Sequence, residues 1–221
     1  NTTGSKQTAL GSQALVAAVS GVENTGVGFG ALASITTASN NTAVGSNALV
    51  QSSASNNTAV GKSALQNNTS GTQNTAVGAL ALDAQTTDSN NTAVGYAALS
   101  ANVQTNNTGI GHQALESNTT GTRNVAVGTQ TLDANTTGSD NNAFGHIALG
   151  KATTASNNCA FGRSAGQEVT TGGSNTLIGH DAGGNTSTGS SNTFVGRSCG
   201  VVCTTGSNNI CIGNQADVTD G

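Results

Sequence analysis

A chain of 221 residues has the length of one or two domains, yet only 34% of it is hydrophobic, 7% is charged, and Pro, Met and Trp are absent. That composition excludes a conventional globular core. The formal net charge of −4, with six scattered Lys and Arg, leaves no basic stripe along the sequence and argues against nucleic-acid binding, and no apolar run is long enough for membrane insertion.

What the chain has instead is a period. In chain order, an anchor glycine recurs at 11, 28, 45, 61, 78, 95, 111, 128, 145, 162, 179, 196 and 213, spaced by 17 residues with two gaps of 16. Such strict repetition argues against disorder and outweighs local propensity. Four residues before the anchor stands Asn in twelve of the thirteen repeats, from Asn24 to Asn209, with Gln7 the exception. A Thr-Ala-Val strand follows, as at Thr42–Val44 and Thr92–Val94, then the anchor, then Ala and Leu three and four residues beyond it. A unit this short cannot form a helical hairpin; it fits one coil of a parallel β-solenoid, with two short strands separated by turns.

Alternation along the strand sends Val and Ala to opposite faces. The larger residues, Val44, Leu49, Val94, Leu99 and Val127, are expected to form the core. Asn41, Asn91 and Asn124 are expected to be rungs of an amide ladder, and Gly45, Gly95 and Gly128 to turn the corner. Thirteen coils would then make a rod of roughly 60 Å at a strand spacing of about 4.8 Å. Small Ala side chains on the other face would let a second backbone approach, which favours a parallel homotrimer over a dimer or a monomer. Residues 1–157 hold the regular coils. Residues 158–221 vary: the Leu becomes Gly166, Gly183, Gly200 and Asp217, while the strand centre grows to Leu177, Phe194 and Cys211.

The units "NTAVGYAAL", "NTAVGSNAL" and "NVAVGTQTL" resemble the head repeats of trimeric autotransporter adhesins, and more closely the repeat arrays of phage tail fibres and related surface fibres. The resemblance spans essentially the whole chain. It implies a left-handed β-roll, an extracellular location and a trimeric fibre or adhesin segment. The chain starts and stops at equivalent points of the repeat. That suggests either a piece of a longer array or subunits stacking end to end into filaments.

Other chemistry is weakly signalled. Cys199, Cys203 and Cys211 lie close in sequence and could form a disulfide, as Cys199–Cys203 or Cys203–Cys211, while no CxxC pair suggests zinc. His112, His146 and His180 all follow their anchors, a position read as surface, as do Lys62, Arg163 and Arg197. Glu116 and Asp133 stack in successive coils without the surroundings a glycosidase pair needs, so no enzyme and no cofactor is expected. Among Asn-x-Ser/Thr sequences, Asn67, Asn118, Asn135 and Asn185 fall in loops and are the candidate glycan sites. The expected function is a stiff structural fibre or adhesin that meets itself and a cell-surface glycan or receptor through variable positions. The alternative is an ice-binding solenoid. Its Thr column is expected to face inward or into an interface, because it shares a strand face with Val.

Overall fold

A computed structural model describes residues 3–218 and 220. The chain divides into two compact units, Asn1–Asn107 and Thr108–Gly221. The change of coil composition at 157/158 falls inside the second.

The first unit carries β1 (Thr8–Leu10), β2 (Thr25–Val27), β3 (Thr42–Val44), β4 (Thr58–Val60), β5 (Thr75–Val77) and β6 (Thr92–Val94). Each pairs in parallel with the next, with like residues opposite like, as in Thr58↔Thr75, Ala59↔Ala76 and Val60↔Val77. The second unit carries β7 (Thr108–Ile110), β8 (Val125–Val127), β9 (Asn142–Phe144), β10 (Cys159–Phe161), β11 (Thr176–Ile178), β12 (Thr193–Val195) and β13 (Ile210–Ile212), stacked in parallel in the same register, though with unlike residues opposite at several positions, as in Val125↔Asn142 and Phe194↔Cys211. Both units are all-β parallel solenoids, one coil per repeat.

Each coil has one three-residue strand rather than two. The expected second strand is a chain of turns, because two residues in it are left-handed: in the sixth coil Ala97 has φ 52° and Leu99 has φ 54°. At Leu99 that costly conformation is offset by a side chain fully buried in the interior. The anchor glycines sit at φ near +135°, a region that L side chains rarely adopt, and a Cβ on Gly61 would lie 2.5 Å from the Gly78 carbonyl oxygen. The anchor column can therefore hold nothing larger than glycine.

The interior is built from the small residues. Ala43, Ala59, Ala76 and Ala93 at the strand centres are fully buried, as are Ala48, Ala64, Ala81 and Ala98 and the Leu column Leu49, Leu65, Leu82 and Leu99. Val44, Val94 and Val127 face outward, the reverse of the expected orientation. Val44 is 36% exposed and Val94 and Val127 are half-buried. The reason is the width of the lumen: even a methyl added to Gly26 would stand 3.2 Å from the Ala31 carbonyl oxygen and 3.3 Å from Leu15 Cγ. Alanine at the strand centre is thus a core residue of its own coil, and the basis for a close-packed trimer through an alanine face is removed.

Asparagine secures one coil to the next. In the first unit Asn24 Oδ1 accepts from the Asn41 amide at 3.0 Å, and the relay continues through Asn57, Asn74 and Asn91 to Asn107. In the second it runs from Asn124 through Asn141, Asn158, Asn175 and Asn192 to Asn209. The Nδ2 groups donate to carbonyls in the following turn, such as Asn74 to Asp88 at 2.9 Å and Asn175 to Gly189 at 2.9 Å. The ladder therefore works mainly by side chain to backbone, and it satisfies polar groups that burial would otherwise penalise.

From the tenth coil the interior exchanges partners. Gly166, Gly183 and Gly200 take the left-handed position where Leu stood, with φ of 61°, 57° and 69°. Leu177 and Phe194, both fully buried, fill the released space; a Cβ on Gly200 would lie 2.5 Å from Phe194 Cδ2.

Candidate functional surface

Since the lumen is packed, any function is presented outside. No pocket is found among the described residues, and no group of three or more His, Cys, Asp or Glu among them could hold a metal ion. No helix there is long and apolar enough to cross a membrane.

The broadest regular feature is the outer strand face. In the first unit it consists of two columns, Thr8, Thr25, Thr42, Thr58, Thr75 and Thr92 beside Leu10, Val27, Val44, Val60, Val77 and Val94, with no charge in either. The Thr column, expected inward or at an interface, lies outward, exposed at Thr8 and half-exposed from Thr25 to Thr92. In the second unit the same face is less regular and more apolar. Val125, Asn142, Cys159 and Ile210 interrupt the threonines, and Phe144 and Phe161 stack at 4.4 Å with a 12° interplanar angle.

A second column follows the anchors. In the first unit it is mixed: Ser12, Phe29, Ser46, Lys62, Ala79, Tyr96. In the second it reads His112, Thr129, His146, Arg163, His180, Arg197, Asn214. Arg163 Nη1 lies 3.1 Å from His180 Nε2. The other cations are differently placed. Lys6 pairs with Glu23 at 2.7 Å, Arg123 with Asp140 at 2.6 Å, and Lys151 with Glu168 at 2.7 Å, each bridging successive coils. These exposed pairs hold Glu23 and Asp140 below the usual carboxylate range, chiefly through the hydrogen bond from the cation.

The expected disulfide partners are free thiols, as is Cys159. Cys203 sits in the turn position that Asn68 and Asn118 occupy elsewhere, with Sγ 3.6 Å from the Gly206 carbonyl oxygen and 3.5 Å from Asn209 Nδ2. It is thus engaged by its own turn instead of by Cys199 or Cys211. Cys199 is held protonated, its pKa pushed up to about 12, first by burial and then by the neighbouring Cys211 thiol. Burial also raises Asp133, with a smaller contribution from Glu116.

Two of the candidate glycan sites are inside. Asn118 and Asn135 are fully buried and close their turns, donating to the Gly121 carbonyl at 2.9 Å and the Gly138 carbonyl at 3.0 Å. Asn67 is half-buried and donates to the Asp83 carbonyl at 2.7 Å, so Asn185 is the exposed member of the four. The signal is available in sequence: Asn68, Asn102, Asn118 and Asn135 all stand seven residues after an anchor, a fixed register that marks a structural role.

The last described turn has its own cap. Asp220 accepts from the Thr204, Thr205 and Gly206 amides at 2.8, 2.9 and 2.7 Å and from Thr204 Oγ1 at 2.6 Å, which holds its carboxyl well below the ordinary range. In preceding coils carbonyls do this work: Thr136 O accepts from both Thr119 N and Thr120 N.

No protein-family model matches the chain, and neither a curated protein nor a solved structure matches it.

Proposed function

We propose that the chain is a structural segment of an extracellular fibre or adhesin, of the kind its repeats resemble in phage tail fibres and trimeric surface adhesins. The observation that carries this reading is the asparagine relay. It gives successive coils the same bonded interface while the surface columns vary from coil to coil. Such a segment resists local opening and displays side chains at fixed intervals. Association between chains, three-fold as the resemblance implies, then uses the outer Thr/Val face. Electron microscopy of the native material with mass per unit length tests it. Fibres with three chains in cross-section are expected. Single-chain fibres would refute the trimer, and isolated particles the fibre.

A second reading, ice binding, gains from the outward Thr and Val columns of the first unit. Rigid, uncharged rows in register at about 4.8 Å are a surface on which water can order. Ice-crystal shaping by the isolated protein, abolished by Thr58→Lys or Thr75→Lys, is the expected outcome. Unshaped crystals from the unsubstituted protein would dismiss it.

A further inference from the structure

We infer that the column following the anchors in the second unit is a binding strip for an acidic polysaccharide, a linear glycan with a carboxylate or sulfate on its sugars. This deepens the adhesin reading by naming a ligand class, and it rests on that reading for its biological setting only.

Four consecutive coils place His146, Arg163, His180 and Arg197 in one column, all of them exposed. In-register parallel stacking sets neighbours about 4.8 Å apart, so the strip offers one hydrogen-bonding or cationic head per coil along roughly 14 Å. Along the sequence these residues are 17 apart and look scattered; stacking alone makes them a row. Neither arginine has a carboxylate partner among the described residues, whereas Lys6, Arg123 and Lys151 each do. Glu168, the nearest acid in sequence to Arg163, is taken by Lys151, and Asp181, the nearest to Arg197, turns its carboxylate over Gly184. Arg163 spends Nη1 on His180, at 3.1 Å, which leaves its other N–H groups and the Arg197 guanidinium available to anionic oxygens, which guanidiniums bind in a fork geometry.

Beside this row, on the adjoining face, lie the stacked Phe144 and Phe161, the latter 42% exposed. Flat aromatic rings next to cations suit a ligand with apolar ring faces and charged substituents, which describes a pyranose polymer bearing acid groups. A nucleic acid fits less well. Two permanent cations on a chain of net charge −4 cannot supply the phosphate neutralisation on which such binding depends. A glycan of lower charge density asks for less.

The test measures binding of the full chain to polygalacturonate, dextran sulfate, neutral dextran and oligo-dT at low salt. Binding to one or both anionic glycans is expected, with little to neutral dextran; the two acidic probes separate carboxylate from sulfate. Arg163→Gln with Arg197→Gln should weaken it by about tenfold. Lys6→Gln with Lys151→Gln removes the same charge elsewhere and should leave it unchanged. The assignment is overturned if neither acidic glycan binds, if both double variants weaken binding equally, or if oligo-dT binds as tightly. Fibres without glycan binding would overturn this assignment alone; glycan binding by isolated particles would overturn the fibre reading alone.

Discussion

The two units share one backbone rule and fill it differently. In the first, a Leu column occupies a left-handed position and Ala lines the strand centre. In the last coils of the second, Gly takes the left-handed position and Leu177, Phe194 and Cys211 take the strand centre. The Leu solution burdens the backbone and packs many small contacts. The Gly solution relieves the backbone and concentrates packing in a few large side chains. What both keep is the asparagine relay, so the hydrogen-bonded frame, rather than any particular core, defines the fold.

The largest expected effect tests where packing is concentrated. Phe194→Ala should cost about 4 kcal/mol, because glycine at 200 offers nothing to refill the space, whereas Leu82→Ala should cost about 3 kcal/mol. Local opening free energies from amide exchange would check this, and the reverse order would break the contrast. Next comes the shared frame. Asn74→Ala and Asn175→Ala each strand a buried amide of the next coil, the Asp88 carbonyl keeping its second donor, Gln85 Nε2, and each should cost about 2 kcal/mol. A marked inequality would mean that the two units do not depend on the relay alike.

A smaller, local effect distinguishes the last turn. Asp220 has a lowered pKa in the folded chain, so its contribution is present above the unfolded carboxylate range and is lost as pH falls through the folded value. Protection of the Thr204, Thr205 and Gly206 amides, taken relative to the intrinsic exchange rate at the same pH, should fall in Asp220→Asn at neutral pH, and in the unsubstituted protein only on strong acidification. Asp133 has the opposite sign: burial raises its pKa, so its charged form opposes folding as pH rises past the ordinary range. The smallest effect belongs to the ion pairs. Both partners of each pair stand in solvent, where water screens their attraction, so Lys6→Gln in the first unit and Lys151→Gln in the second should barely move local opening in the same exchange measurement.

Much of this architecture is legible in the residues. The anchors, the strands at Thr42–Val44 and Thr92–Val94, and the Asn column follow from period alone. The exchange of core volume late in the chain, with Gly166 standing in the Leu column and Leu177 packed across from it, is also visible as a paired change. The orientation of Val94 is not legible, because a three-residue strand alternates equally well either way and only lumen width decides. Nor is the missing second strand, since leucine gives no sign of a left-handed backbone. Asn118 and Asn135 mislead as glycan sites because a sequon describes three residues and says nothing of burial. The His/Arg row is hidden by the same distance that the fold removes.

The coil between Asn41 and Asn57 is one residue short, and Asn41 still reaches its acceptor, Ala54 O, at 3.0 Å, thirteen residues away instead of the fourteen that separate Asn74 from Asp88. The relay thus tolerates an edit in the outer turn. A whole coil inserted or excised between two asparagines meets neighbours much like the ones it replaces. The array can therefore grow or shrink by whole coils without a new kind of junction, each coil adding one more copy of the same interface.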